Sequence, residues 1–456
     1  MVREKRETQN EAQAMRYLIG LVFVLFGVEG GFAAATSEET LRPQVRPDNA
    51  VRVALVATVP VLRPQIRPEI AQSPEASQPI LVAANARFER WIVAFRPRAM
   101  AAGISGSVFE RAFRGVTYDP EVIERDRNQS EFTKTIWDYL DSAASDTRVQ
   151  NGKDALRKHR KTLEAIEARY GVDQDVVVAI WGLESAYGSF RGSHNVIQAL
   201  ATLAFDGRRS RFFEAQLIAA LRILQSGDTV PANMKGSWAG AMGHTQFMPT
   251  SYLDLAVDFT GDGRRDIWDD DPSDALASTA AYLKRFGWVK GQPWGVEVRL
   301  PANFDFSQAN RKIRKSPADW AALGVRDMRG RPVPNYGSAS ILLPAGSQGA
   351  AFMIFKNFGV IERYNPADAY VIGVGHLSDR ITGGPKIQSD WPRDDRALTF
   401  RERKELQQRL TRAGFDTAGV DGKIGPKTIT AVRAYQRAQG LRPDGYASLK
   451  LLKQLR

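Results

Sequence analysis

The feature that most restricts the fold of this 456-residue chain is the complete absence of cysteine. Without thiols the chain forms no disulfides, thiolate metal sites or cysteine nucleophiles, and it carries no lipid anchor on an N-terminal cysteine. Stability must therefore come from packing alone. Single hydrophobic cores stop growing at roughly 250 to 300 residues, so we expect at least two domains.

The N-terminus has the pattern of an export signal. Basic residues precede an apolar run over residues 17–26, and small residues at 33–35 resemble a cleavage site. The alternative is a membrane-spanning helix, but that requires about 20 apolar residues, and glycines and Glu29 interrupt this run too soon. We predict a signal peptide over residues 1–35, export to the periplasm and no lipoprotein.

The formal net charge of +12 suggests an acidic partner. Nucleic acid is excluded by the predicted export, and the basic residues are scattered rather than clustered. We expect solubility and attraction to an anionic polymer such as cell wall.

Residues 36–83 form a predicted spacer. They are rich in proline and contain a short repeat, seen at residues 41–47 and 62–68. Proline at this density favours extended polyproline II structure, so we predict a semi-rigid linker without chemistry of its own.

Residues 84–382 have mainly helical patterns. An apolar stripe predicts one helix, formed by Leu156, Leu163, Ile166 and Tyr170. A second helix should end at Gly227, and a third should span residues 273–287 with a capping serine at its start. Alternating residues at 294–300 and an apolar stretch at 341–343 predict strands. We predict a mainly helical α+β domain.

The C-terminal part is predicted to be separate. Residues 383–397 are polar and contain glycine and proline, which indicates a second linker. Residues 398–456 contain two helical patterns, the second of them beginning at Pro426, where proline suits the first helical position. About 58 residues without cysteine can form only a small helical bundle.

Glu184 is the candidate catalytic residue. It follows an apolar helical segment capped by Asp173, one turn beyond Ile180 and Trp181. Burial of a lone carboxylate raises its pKa and keeps it protonated near neutral pH, as the general acid of glycosidic cleavage requires. A glutamate turned toward water or paired with an arginine is equally compatible with these residues alone.

The segment of residues 233–252 combines small residues with groups suited to binding sugars. Ser237, Gln246 and Tyr252 offer hydrogen bonds, whereas Trp238 and Phe247 offer flat faces. Taken alone, a tight turn before a helix that starts at residue 249 explains the segment as well.

Together these stretches resemble the lytic murein transglycosylase B family. The matching segments are Trp181–Gly188, Gln198–Phe205 with Arg208-Arg209, Lys235–Tyr252, Val257–Gly263 and Arg363-Tyr364-Asn365. The resemblance covers about residues 84–382, and it implies a lysozyme-like catalytic domain.

The resemblance implies one catalytic acid/base, Glu184, in an enzyme that cleaves the β-1,4 bond between N-acetylmuramic acid and N-acetylglucosamine. With a single carboxylate, the C6 hydroxyl of the muramic acid acts as the nucleophile and leaves a 1,6-anhydromuramoyl end. The saccharide cleft is implied to contain Ser237, Gln246, Tyr282, Tyr364 and Asn365, with Arg208 and Arg209 near the peptide-bearing sugars. Phe212 and Trp238 depart from the usual family pattern.

Asp258 begins a segment that resembles an EF-hand loop, with further oxygen side chains at the third, fifth and ninth positions (Thr260, Asp262 and Asp266) and glycine at the sixth. The resemblance also implies calcium here. Asp269 or Asp274 would close the loop, since Asp270-Asp271 is inserted. A structural calcium ion and a metal-free acidic turn both remain open, and no other cofactor is expected. The four histidines lack metal-ligand spacing.

The C-terminal segment resembles the three-helix peptidoglycan-binding domain of type one, on the residues Gly419–Thr428, Val432–Arg437 and Pro443–Gly445. We expect it to hold a monomeric enzyme on peptidoglycan strands, with cell-wall assembly or division proteins as further partners. A lysozyme-like hydrolase and a non-catalytic wall-binding protein are the alternative functions.

Overall fold

The computed structural model describes residues 74–127 and 134–456. The predicted signal peptide and the predicted spacer up to residue 73 lie outside the described residues. The first helix, α1 (Pro74–Ala101), begins inside the predicted spacer, so the helical part of the chain starts earlier than expected. A proline is tolerated at the first helical position because its missing N–H would have no partner there. No helix in the described part is long and apolar enough to cross a membrane.

Helices dominate the described chain, which confirms the prediction of a mainly helical fold. After α1 follow α2 (Gly106–Phe113), α3 (Pro120–Arg127), α4 (Ile136–Ala143), α5 (Asp146–Lys158), α6 (Arg160–Tyr170), α7 (Gln174–Ser185), α8 (Val196–Asp206), α9 (Ser210–Ser226), α10 (Pro249–Leu255) and α11 (Ser273–Arg285).

A break at His159 separates α5 from α6, so the prediction of one helix through Leu156 and Tyr170 is wrong. The N–H of His159 still bonds to the carbonyl of Ala155, but its backbone leaves the helical region with φ −103° and ψ 20°. The apolar stripe is therefore shared by two consecutive helices. Side-chain spacing does not detect a break of one residue, because the spacing is almost unchanged across it.

The predicted helix ends are more accurate than the predicted caps. Gly227 ends α9 with φ 83°, a left-handed conformation that costs glycine nothing because it has no Cβ. α11 begins at Ser273 as expected, but its N-cap is Pro272, and the Ser273 hydroxyl donates to the Asp271 carboxylate at 2.6 Å. The cap role of Ser273 is therefore corrected.

The strands form two antiparallel units. β1 (His194–Asn195) pairs with β2 (Lys235–Gly236), and a four-stranded sheet has the order β4-β3-β6-β5, formed by β3 (Gly295–Arg299), β4 (Arg326–Asp327), β5 (Ser340–Leu342) and β6 (Ala351–Ile354). β3 and β5 confirm the two predicted strands. The sheet has a core of its own around Trp320 of α12 (Pro317–Ala322).

Two further helices, α13 (Lys356–Tyr364) and α14 (Asp368–Ile381), return from the sheet to the large helical core. α14 packs along α7, and both helices are buried over most of their length. The centre of the domain is thus a helix pair whose members lie almost two hundred residues apart in sequence, as the 186-residue separation of Glu184 and Tyr370 illustrates.

The C-terminal helices α15 (Phe400–Arg412), α16 (Pro426–Ala438) and α17 (Leu449–Leu455) form a small bundle around Leu406, Leu410, Val432 and Leu452. The bundle contacts the large domain, because Ser347 donates a hydrogen bond of 2.8 Å to Asp444. The preceding linker is also attached to that domain, through the ion pair of Arg393 with Asp141 at 2.7 Å.

Candidate active site

The candidate site is built on α7, a helix buried on nearly every side. Its residues from Val176 to Trp181 are at most 3% exposed. Asp173 occupies the N-cap position as predicted, but its side chain makes no capping bond and accepts hydrogen bonds from Trp288 and Gly291 instead. Burial in the core, rather than capping, therefore stabilises this helix.

Glu184 lies in the last turn of α7 and is 1% exposed. Its Oε1 accepts a hydrogen bond of 2.5 Å from the Tyr370 hydroxyl, whereas its Oε2 is buried without a partner. Burial raises the pKa of Glu184 well above its ordinary value, and the hydrogen bond from Tyr370 partly opposes that rise. The protonated form of the carboxyl is therefore favoured, and the carboxyl is neither turned toward water nor paired with an arginine.

The chain turns sharply directly after Glu184. Ala186 and Tyr187 have positive φ angles of 48° and 58°, a conformation that costs a residue with a Cβ about 1 to 2 kcal/mol. The Tyr187 hydroxyl donates to the carbonyl of Arg148 at 2.8 Å, and its ring lies where a Cβ on Gly182 would be. These contacts hold the strained turn and set where α7 ends.

The segment of residues 236–248 lies against the end of α7. The Ser185 hydroxyl donates to the His244 carbonyl at 2.6 Å, and Gly192 packs directly on the backbone of Gly236. Ser237 accepts hydrogen bonds from the N–H groups of residues 239 and 241. Ser237 thus shapes a tight turn beside the site, consistent with both interpretations of this segment.

Gln246 is buried and has a positive φ of 55°. Its Nε2 donates to the carbonyls of Arg191 and Gly243 at 3.0 and 2.8 Å, and its Oε1 has no partner. Two acceptors around the nitrogen determine the orientation of the amide. The oxygen is therefore left as an unused acceptor.

Tyr364 and Tyr282 form one aromatic cluster with Phe247. The rings of the two tyrosines are 4.9 Å apart, and each lies 5.9 Å from Phe247. Burial raises the pKa of Tyr364, and the charge of Glu184 adds to the rise, so Tyr364 lies close to the carboxylate. Asn365 follows it and is fully buried.

Arg208 and Arg209 have an acidic partner within the protein. Both pair with Asp126 of α3, a residue that is 2% exposed, and Arg209 also stacks over the ring of Phe213. Because a buried carboxylate needs a cation, this ion pair explains the arginines without any ligand. Their role near peptide-bearing sugars stays a prediction that no contact to the other site residues supports.

Three other side chains are structural. Trp238 and Phe247 are 2% and 3% exposed, so neither offers an open face to a sugar ring. The Tyr252 hydroxyl donates to the carbonyl of Arg265. The expectation that these groups contact saccharide directly is therefore corrected, since the core and a neighbouring loop already occupy them.

Comparison with known families decides the relationship. A sequence profile described as the transglycosylase SLT domain matches residues 87–379, and a second, described as a peptidoglycan binding domain, matches residues 401–455. The chain belongs to the transglycosylase SLT domain family. The predicted family and the prediction of an enzyme are confirmed.

Individual members of the transglycosylase SLT domain family are also similar. A crystal structure of SltB3 from Pseudomonas aeruginosa in complex with NAG-anhNAM-pentapeptide is 52% identical, covers 81% of this chain and 99% of its own, and has a TM-score of 0.79. The membrane-bound lytic murein transglycosylase B of Escherichia coli is 36% identical over 240 residues, which is 51% of this chain. This chain spans 63% of the length of that relative.

A structure of the family member Slt35 from Escherichia coli in complex with calcium is 30% identical, covers 65% of this chain and 93% of its own, and has a TM-score of 0.55. In the present chain, the segment predicted to bind calcium is the acidic loop, residues 258–271. Its candidate ligands point toward the protein's own donors. Asp258 accepts hydrogen bonds from two loop amides at 2.6 and 2.9 Å, and Asp274 accepts from three amides at 2.9 to 3.1 Å.

Thr260 and Asp262 are engaged as well. The Thr260 hydroxyl donates to Asp258 at 3.3 Å, and Asp262 pairs with Arg264 at 3.2 Å. Within residues 74–127 and 134–456, no three histidine, aspartate or glutamate side chains converge so that they could hold a metal ion. A calcium ion needs six to eight converging oxygens. The loop is thus ordered by its own hydrogen bonds as an acidic turn, and a calcium ion at this loop stays a prediction.

Tyr370 is the site residue that the sequence did not reveal. It lies on the buried face of α14 and makes the hydrogen bond to Glu184. Burial raises its pKa, and the charge of Glu184 raises it further. A tyrosine within a buried helix needs a partner for its hydroxyl, which is the one signal that could have marked it.

Proposed function

We propose that this chain is a lytic transglycosylase that cleaves peptidoglycan between N-acetylmuramic acid and N-acetylglucosamine, with Glu184 as its single acid/base. The observation that carries the proposal is the isolation of Glu184. In the described part of the chain, burial and the Tyr370 hydrogen bond are the influences on its pKa, and no second carboxylate contributes. Enzymes with two catalytic carboxyl groups hold them about 5 to 10 Å apart, where each affects the other's pKa.

The chemistry follows from this isolation. Oε1 is occupied by Tyr370, so the unpartnered Oε2 is the oxygen that carries the proton. Glu184 donates this proton to the glycosidic oxygen as the bond from C1 breaks. The carboxylate then takes the proton of the muramic acid C6 hydroxyl while the oxygen of that hydroxyl forms a bond to C1 of the same sugar. The proton count balances, no water is consumed, and the product is a 1,6-anhydro ring.

Related structures support this substrate class. SltB3 of Pseudomonas aeruginosa has been crystallised with NAG-anhNAM-pentapeptide and with NAG-NAM-pentapeptide. We extend these ligands to the present chain because it contains the same family domain and matches nearly the whole of that protein. The C-terminal bundle, through its own match, is proposed to keep the enzyme on the polymer and raise the local substrate concentration.

The experiment is a digest of purified sacculi by the wild-type chain and by Glu184→Gln, followed by mass spectrometry of the released muropeptides. We expect anhydro ends, lighter by one water than hydrolytic ends, from the wild type and none from the variant. Products with free reducing ends would identify a hydrolase. Binding of both proteins without any release would identify a wall-binding protein.

A further inference from the structure

Arg191 lies between the candidate site and the acidic loop. Its Nη1 donates to the carbonyls of Trp268 and Asp269 at 2.7 and 2.9 Å, and its Nη2 pairs with Asp270 at 2.8 Å. Its own carbonyl accepts the hydrogen bond of 3.0 Å from Gln246. One residue thus contacts the loop with its side chain and the site with its backbone.

We propose that Arg191 is a positioning residue that fastens the acidic loop to the site and orients Gln246, and that this attachment operates without a calcium ion. The kinetic part of the inference rests on the proposed function. The structural part, which concerns the loop and the metal, does not.

The geometry of the loop explains why it needs no metal. A calcium ion would order such a loop by drawing several oxygens to one point. Here backbone amides already occupy Asp258 and Asp274. The arginines supply positive charge: Arg264 pairs with Asp262, and Arg265 binds Asp228 at 2.7 Å. Arg191 adds a third cation, at the end of the loop where residues 270 and 271 lengthen it.

The geometry at Gln246 explains what the attachment does for the site. Its amide nitrogen lies on the carbonyls of Arg191 and Gly243, which directs Oε1 away from both of them. Oε1 is buried and has no partner. A buried acceptor without a donor is costly, so the arrangement is suited to an incoming hydroxyl or amide N–H of a sugar. If the Arg191 backbone shifts, the Gln246 amide loses one of the two hydrogen bonds that fix its orientation.

A second attachment keeps the loop folded when Arg191 is altered. His244 Nδ1 accepts from Trp181 Nε1 at 3.1 Å, and His244 Nε2 lies 2.6 Å from the Asp269 carbonyl. Since Nδ1 is the acceptor, Nε2 carries the proton and donates. His244 therefore ties the loop to α7 as well, and Arg191 Nη1 lies 3.3 Å from the same His244 Nε2. Substitution of Arg191 should loosen the loop without unfolding the domain.

The first test is kinetic, on a defined soluble peptidoglycan oligosaccharide. Arg191→Met should raise KM about tenfold with kcat nearly unchanged, since a single ground-state hydrogen bond is weakened. Arg191→Lys should recover part of the loss. Combined with Gln246→Ala, Arg191→Met should add nothing further, because both changes act through the Gln246 amide: one removes it, and the other loosens the backbone carbonyl that orients it. Additive effects, or a loss confined to kcat, would overturn the assignment.

The matched control is Arg329→Met, which removes an exposed arginine at a turn of the sheet, away from the site. It should leave KM unchanged. If the wild type releases no muropeptides at all, the proposed function fails, and the kinetic test is replaced by the structural readout that follows.

The structural test uses hydrogen exchange and thermal unfolding of the full chain in millimolar calcium and in EGTA. We expect the same unfolding temperature and the same exchange of residues 258–271 in both, and faster exchange of that segment in Arg191→Met. A ligand at a hundred times its Kd adds about 2.7 kcal/mol to stability, which is easily measured. Protection of the loop by calcium, or unchanged exchange in the variant, would refute the proposal.

Discussion

The hydrogen bond from Tyr370 to Glu184 gives a direct test of how the site controls its proton. Tyr370→Phe removes one hydroxyl and keeps the ring, which is 1% exposed and packed in the core. The lost bond is 2.5 Å long and stabilises the ionised form of the carboxylate. Without it, Glu184 should stay protonated to higher pH.

The magnitude follows from the kind of bond. Hydrogen bonds to charged groups contribute about 1.5 to 3 kcal/mol, and a change of one pH unit in a titration corresponds to about 1.4 kcal/mol. The carboxyl is 1% exposed, so solvent does not replace the lost donor. The alkaline limb of the profile of kcat/KM against pH should therefore move upward by about one to two units.

The assay is the initial rate of muropeptide release as a function of pH, with Tyr139→Phe as the control. Burial is the main cause that raises the pKa of Tyr139, and the charge of Glu184 is the second cause. The structure shows no hydrogen bond between these two described side chains, so Tyr139→Phe changes a nearby hydroxyl without removing a bond to the carboxyl. The control should leave the alkaline limb in place. A limb that stays put or moves to lower pH in Tyr370→Phe would refute the account of how the carboxyl is kept protonated.

Three further predictions concern stability, measured by urea unfolding. Glu184→Gln should be more stable than the wild type at pH 8 and similar in stability near pH 4. Burial raises the pKa of Glu184 in the folded protein, so its contribution to stability is fully present below the pKa of the unfolded chain and is lost as pH rises through the folded pKa. Burial lowers the pKa of His244 to about 4, so His244 should cost the fold about 3 kcal/mol of stability as pH falls from 6.5 to 4. His244→Gln should remove that part of the dependence of unfolding free energy on pH, while the similar contribution of His376 remains. An unchanged pH dependence in His244→Gln would contradict this. Asp126→Ala should cost about 3 kcal/mol, because it leaves the half-buried Arg209 without its partner; a change below the error of the measurement would mean that the ion pair is not structural.

Much of the fold could be predicted because helices are local. The apolar period located α9, α15 and α16, and alternation located β3. The break at His159 and the cap of α11 were missed, because both depend on one residue's backbone and side-chain partners rather than on a repeating pattern.

The site was only partly predictable for a related reason. Glu184 became the candidate because a lone acid ended an apolar helix and because the segment around it resembles a family motif, both of which are patterns within one segment. Tyr370 did not, since it meets Glu184 across 186 residues. The position of the arginine pair near the peptide-bearing sugars stays a prediction, and the sequence did not reveal its partner Asp126, which lies 83 residues from Arg209.

The amino-acid sequence by itself determined the two family domains and the helical character, and it supplied Glu184 as the candidate acid. The packing of α14 on α7 decided that this carboxyl is buried, that burial raises its pKa, and that it accepts a hydrogen bond from one hydroxyl. Tertiary contacts likewise decided which backbone amides the loop carboxylates bind. The spacing of apolar residues that predicts a helix lies within one short segment. The burial of a polar group and the choice of its hydrogen-bond partner depend instead on distant segments that pack around it and exclude water.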